Sequence, residues 1–185
     1  KLTLALPTLG GTAQAKRSVT VAGGDQNVLH AFRIVVDNGP VRFRAGTTDG
    51  DDDYVTETYL DTGEHSLAFT PTGATVYIQI DTLTAQDKIV DSITIEAAGA
   101  MTLPTTWTED DLRLIRYDQS GDIIFTACQG QQQRRIERRG INSWSFVLYK
   151  ADDGPFKSPN FTDITLTPGG LISNTTLTAS RKLFR

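Results

Sequence analysis

The stretch LHAFRIVVDNGPVRFRA, residues 29–45, decides the fold class. In its second half, VRFRA, Val41, Phe43 and Ala45 fall on one side of an extended chain while Arg42 and Arg44 fall on the other. That is the pattern of a strand with one packed face and one wet face. LHAFRIVV predicts another strand, and the DNGP between the two supplies residues that tolerate or preset turn geometry.

Working outward, the same two-residue alternation recurs at LTLAL (2–6), KRSVTV (16–21), YVTETYL (54–60), HSLAFT (65–70), TVYIQI (75–80) and IVDSITIE (89–96). AGGDQN, TTDGDDD, DTGE and PTGA punctuate them as turns. Eight short strands with no helix between them predict antiparallel sheets packed face to face, as a jelly roll or related sandwich.

Near residue 100 the character changes. EAAGAMTLPTTW reads as a connection, and TEDDLRLIRYDQ places Asp111 three residues after Thr108, a capping-box-like start to one short helix. Strands are then expected at DIIFTAC (122–128), QRRIER (133–138), WSFVLY (144–149) and a Thr-rich pair near 162–167 and 174–179. Residues 1–100 carry 7 Lys/Arg against 13 Asp/Glu and residues 101–185 carry 11 against 9, so charge shifts at the same place. The expected fold class is all-β: an N-terminal jelly-roll-like sandwich over 1–100, then a smaller, incomplete β-rich portion over 101–185. Lys1 opens directly onto an alternating run and RKLFR ends without a polar tail, so the chain reads as a fragment of a longer protein.

The net charge of -4 argues against a global cationic field that would draw the protein onto nucleic acid. A single cysteine, Cys128, leaves no internal disulfide framework and no cysteine-based zinc cluster. It follows an apolar run, where an inert buried thiol and a nucleophile are the two readings. No stretch approaches the ~20 apolar residues a membrane-crossing helix needs.

Several constellations bear on chemistry. Both histidines, His30 and His65, stand inside predicted strands, too few for a histidine metal site. Asp49, Asp51, Asp52 and Asp53 surround Gly50 on a loop, which suits either a structural calcium ion or a plain solvated turn. Asp51, Glu57 and Glu64 contain the carboxylates a glycosidase would pair, with nothing to fix their separation. Tyr54 and Tyr59 beside the acidic loop form a candidate sugar platform, the alternative being ordinary strand packing.

QQQRRIERRG, residues 131–140, concentrates four arginines. On a strand, Arg134, Ile136 and Arg138 share one face while Arg135, Glu137 and Arg139 share the other. Each face dilutes its cations, so the stretch is a poor phosphate-tracking stripe. Ion pairing to neighbouring protein suits arginine better.

The run DLRLIRYDQSGDIIFTACQGQQQRRIERRGINSWSFVLYKADDGPF, 111–156, resembles the tail-nozzle (tail tubular) proteins of short-tailed phages. In that family a "lryaQSaDvmfl" strand precedes a "pprkLsR" strand, then "tsWsl" and "dGPF". Tyr117, Gln119, Ser120, Asp122, Arg135, Ile136, Arg138, Arg139, Ser143, Trp144, Gly154, Pro155 and Phe156 stand at those places. ITLTPGGLISNTTLTASRKLF is similar to the family's "TLT…g..TLtAS..lF". The resemblance implies a virion structural role in a tail, made in the bacterial cytoplasm, without catalysis or cofactor. It also implies a carbohydrate-binding-module-like sandwich at the N-terminal side. Partners would be other tail subunits, as a homo-oligomeric ring of the full-length protein, with neither a membrane nor a specific nucleic acid. The expected assembly contacts are Arg134, Arg135, Arg138, Arg139 and Trp144, with Ile123, Phe125 and Phe146 buried against neighbours. A module contacting cell-surface glycan is the alternative function.

Overall fold

The computed structural model describes residues 1–5, 11–84, 86–151, 165–169 and 176–180. Among them are fourteen strands: β1 (Leu2–Leu4), β2 (Ala13–Thr20), β3 (His30–Asn38), β4 (Val41–Gly46), β5 (Val55–Leu60), β6 (Gly63–Phe69), β7 (Thr75–Thr82), β8 (Lys88–Glu96), β9 (Arg116–Ser120), β10 (Ile123–Ala127), β11 (Arg134–Arg138), β12 (Trp144–Leu148), β13 (Leu166–Pro168) and β14 (Leu177–Ala179). All eight strands expected in the first hundred residues are present.

The first eight wind as a jelly roll. β1 pairs with β8, β2 with β7, β3 with β6 and β4 with β5, all antiparallel, as if one long hairpin folded at the β4–β5 turn had been wrapped over itself. β3 with β8 and β4 with β7 stitch the wrap into two sheets, one running β1-β8-β3-β6 and the other β2-β7-β4-β5. The DNGP turn therefore carries the chain from one sheet to the other.

Alternation sets what the sheets bury between them. Val41, Phe43 and Ala45 of β4 are fully buried against Phe32, Ile34 and Val36 of β3. The Phe32 ring stacks on Phe69 at 4.0 Å and takes Phe43 edge-on at 5.3 Å. Aromatic contacts of this kind add about 0.5–1.5 kcal/mol beyond the area they bury.

Residue 100 is not a division between compact units. β12 pairs with β6, β11 with β12, β10 with β11 and β9 with β10, so the later strands continue the β1-β8-β3-β6 sheet to eight strands. The compact unit spans Lys1–Lys150, and Ala151–Arg185 is a second one. The change in charge marks a crossing instead. From the end of β8 the chain passes over the outer face of the sheet: Arg33 of β3 donates to Glu96 and Thr102, and Trp107 lies edge-on to Phe146 of β12 at 4.9 Å.

The short helix expected after Thr108 is a single 3-10 segment, Glu109–Leu114. The Asp111 carboxylate accepts the Thr108 backbone N–H and hydroxyl, both at 2.8 Å, and these bonds hold its pKa below the ordinary carboxylate value. The chain then turns extended as β9, beginning within the TEDDLRLIRYDQ run whose start predicts the helix. In the second unit β13 and β14 form an antiparallel pair, matching the described part of the Thr-rich stretches. Among the described residues no helix is long and apolar enough to cross a membrane.

Candidate functional site

β11 is the centre of the added strands, and its register settles the faces of the arginines. Arg134, Ile136 and Arg138 stand opposite Leu148, Phe146 and Trp144 on the outer face, while Arg135 and Glu137 stand opposite Val147 and Ser145 on the inner one. This is the expected alternation.

The inner arginines are occupied within the chain. Arg135 pairs with Asp61 and Glu137, each at 2.9 Å, and Arg139 reaches Glu137 at 3.0 Å, Ser145 Oγ at 2.7 Å and Thr58 at 3.0 Å. Thr58 belongs to β5 of the facing sheet, so this network ties the added strands to both sheets of the jelly roll. The guanidinium groups of Arg135 and Arg139, expected as assembly contacts, are thus engaged by bonds within the chain. The reason is that the inner face of β11 looks across at the β5 edge, and Glu137 keeps the two guanidinium groups from repelling one another.

On the outer face Arg134 lies over the Phe146 ring, 4.8 Å from its centroid. Burial lowers the Arg134 pKa, and the Glu64 charge partly offsets this. Phe146 is fully buried between Trp107 and Arg134, so this ring packs inside the chain, while the half-buried Phe125 meets the exposed Tyr149 edge-on at 5.6 Å. Arg138, about half exposed and 3.5 Å from Asp122, and the half-buried Trp144 opposite it are what the expected contacts leave at the surface. Gly154, Pro155 and Phe156 lie outside the described residues.

The acidic loop does not gather its carboxylates. Asp49 pairs with Lys16 at 3.0 Å, Asp51 accepts the Thr48 hydroxyl at 2.5 Å, Asp52 the Glu57 N–H at 3.1 Å and Asp53 the Thr47 N–H at 2.7 Å. Each acid caps or pins a different piece of the turn, and Gly46 lets the loop backbone fold close above it. Among the described residues no three His, Cys, Asp or Glu side chains form a group able to hold a metal ion. The calcium reading gives way to the turn.

Tyr54 and Tyr59 do not form one platform. Tyr54 packs toward Phe69, ring centroids 6.2 Å apart, and its hydroxyl accepts the Thr72 N–H at 2.9 Å. Tyr59 is 59% exposed on the outer face of the second sheet, opposite Arg42. A Tyr54→Phe substitution is expected to lower stability by about 1 kcal/mol in urea denaturation, the net value of one hydrogen bond; a purely ligand-facing ring would leave stability unchanged. Glu57 bonds Arg42 and Arg44 on that same outer face, whereas Glu64 stands opposite Phe146 on the outer face of the other sheet. The three carboxylates of the glycosidase reading thus do not converge.

Cys128 is buried, with Sγ directed at the Asp111 carbonyl at 3.9 Å, the inert arrangement. His30 places its two ring nitrogens 3.0 Å from the carbonyls of Glu96 and Asp25. His65 is fully buried between Ser145 Oγ and the Asp61 carbonyl, each at 2.8 Å.

Two polar groupings escaped the sequence reading. One is the His65–Ser145–Arg139 chain, whose members are 80 and 6 residues apart. The other is the Arg42, Arg44, Glu57 and Asp81 cluster, with Asp81 buried beneath Arg42. Extending the TVYIQI alternation by one residue puts Asp81 on the face of the arginines and is the signal that would have found it. A groove of about 590 Å³ opens between β1, β8 and β2, β7 and is lined by aliphatic residues such as Val19, Ile78 and Ile95, without an aromatic ring.

Comparison with protein-family models, with curated proteins and with solved structures found no match.

Proposed function

We propose that this chain is a structural part of a phage or prophage tail, nozzle-like and without catalysis, acting in the virion alongside other tail subunits. The observation that carries the reading is the placing of the tail-protein-like segment. Its described part, 111–151, contributes β9–β12 to the jelly-roll sheet and is held there by the Arg135–Glu137–Arg139 network. An added strand block of this kind widens a sheet and presents new edges and faces, which is what subunit packing uses. Of the expected contacts, the Arg138–Trp144 pair remains at the surface of that block.

Mass spectrometry of purified, intact particles from the host that carries the gene tests this reading. Peptides of the full-length product are expected at stoichiometric abundance with other tail proteins; their absence from intact particles would end the proposal.

A carbohydrate-binding module is the second reading, favoured by the jelly-roll half and by exposed Tyr59 beside Arg42 and Glu57. A glycan array of the 185-residue chain separates the two. Binding lost on Tyr59→Ala supports the module, and silence at millimolar glycan removes it.

A further inference from the structure

We infer that the open edge of β9 pairs two copies of this chain, strand to strand, about a twofold axis through Tyr117. β9 is the last strand of the eight-stranded sheet, hydrogen-bonded only to β10 among the described residues, and all five of its residues are exposed. An unpaired strand edge is a template for another strand. Natural sheets blunt such edges with charge, so what the charges of RYDQS permit decides whether the edge is closed or receptive.

Three antiparallel self-pairings can be compared. Centring on Asp118 sets two carboxylates opposite each other, and centring on Arg116 sets two guanidinium groups opposite each other; like charges in directly opposed positions are destabilising. Centring on Tyr117 sets Arg116 against Asp118 of the second copy, Asp118 against its Arg116, and ring beside ring. Both ion pairs fall on one face and the tyrosines on the other, as strand alternation requires. The arrangement is isologous, each contact occurring twice.

Within one chain these groups are left in need of partners. Among the described residues neither Arg116 nor Asp118 forms an ion pair: Arg116 donates to the carbonyls of Arg113 and Ile115, and Asp118 accepts only the adjacent Gln119 N–H. Tyr117 is 77% exposed. Extended backbone already begins at Ile115, so the partner strand meets extended chain on both sides of the axis. The interface stands whether or not the chain belongs to a tail.

The test is sedimentation velocity over a concentration series of the 185-residue chain and of two single variants, Arg116→Asp and Asp118→Arg. The unaltered chain is expected to show a weak, concentration-dependent dimer. Each variant places like charges opposite each other twice, and is expected to weaken self-association by about tenfold or more. An equimolar mixture of the two variants restores complementary pairs and is expected to form the dimer that neither forms alone. The inference is overturned by an unaltered chain that stays monomeric at the highest concentration. It is equally overturned by variants that dimerise as before, or by a mixture that remains monomeric.

Discussion

Replacing Gly63 by alanine is expected to cost about 3 kcal/mol or more, the sum of one backbone strained at positive φ and one overpacked site. Gly63 opens β6 at φ +149 and is flanked by backbone on both sides, Val36 of β3 and Val147 of β12. A Cβ there would overlap the Phe146 carbonyl oxygen and lie 2.7 Å from Val147 Cα. Neither neighbour is a flexible side-chain tip, so relief means moving β12 off β6. The damage is therefore expected at the seam between the jelly roll and the added strands. Urea denaturation should show the lost stability. Trypsin, which has Arg113, Arg116, Arg134, Arg135, Arg138 and Arg139 to cut, should attack the β9–β12 block sooner than residues 1–96. Gly73 is the control: nothing lies within 4 Å of a Cβ built there, and Gly73→Ala is expected to be nearly neutral. A Gly63→Ala protein as stable and as protected as the unaltered chain would contradict this account of the seam.

That seam also marks where sequence reading stops. The jelly roll was legible because its strands have one buried face: Val41, Phe43 and Ala45 alternate with Arg42 and Arg44, and turn residues close each run. β9 carries no such signal. Both its faces are exposed, so RYDQS has no apolar period to mark it as a strand. Alternation separates the faces of QRRIER, but which face turns inward depends on β12 docking beside β6, a pairing of residues about eighty positions apart. Only tertiary structure reveals that Arg135 and Arg139 meet Asp61 and Thr58. The acidic loop fails for a related reason. Asp49, Asp51, Asp52 and Asp53 cluster in sequence, but an ion pair with Lys16 takes Asp49 and short turn hydrogen bonds take the other three carboxylates separately.

Acidification from pH 7.5 to 4.5 is expected to remove about 2–3 kcal/mol of stability through His65 alone, from the span between its folded and unfolded pKa values. Burial lowers the His65 pKa from 6.5 to about 4, with the Arg139 charge acting in the same direction and the Asp61 carbonyl and carboxylate opposing. The hydrogen bonds fix the form that is stable. The Asp61 carbonyl can only accept, so Nε2 carries the proton; Nδ1 then accepts from the Ser145 hydroxyl, whose oxygen accepts from Arg139 Nε. A proton added to Nδ1 would face a hydroxyl already fed by a guanidinium, in a site without water-facing surface. Between pH 6.5 and about 4 the unfolded chain binds a proton that the folded chain refuses, so stability is full above that window and falls as pH is lowered through it. Glu64 acts oppositely, since burial raises its pKa and its protonation favours the folded chain, so the difference between two proteins is the clean readout. His65→Gln starts less stable at pH 7.5, and its loss on going to pH 4.5 is expected to be smaller than that of the unaltered chain by the His65 contribution. Equal losses in urea denaturation of the two proteins would show that this imidazole is not what acid breaks.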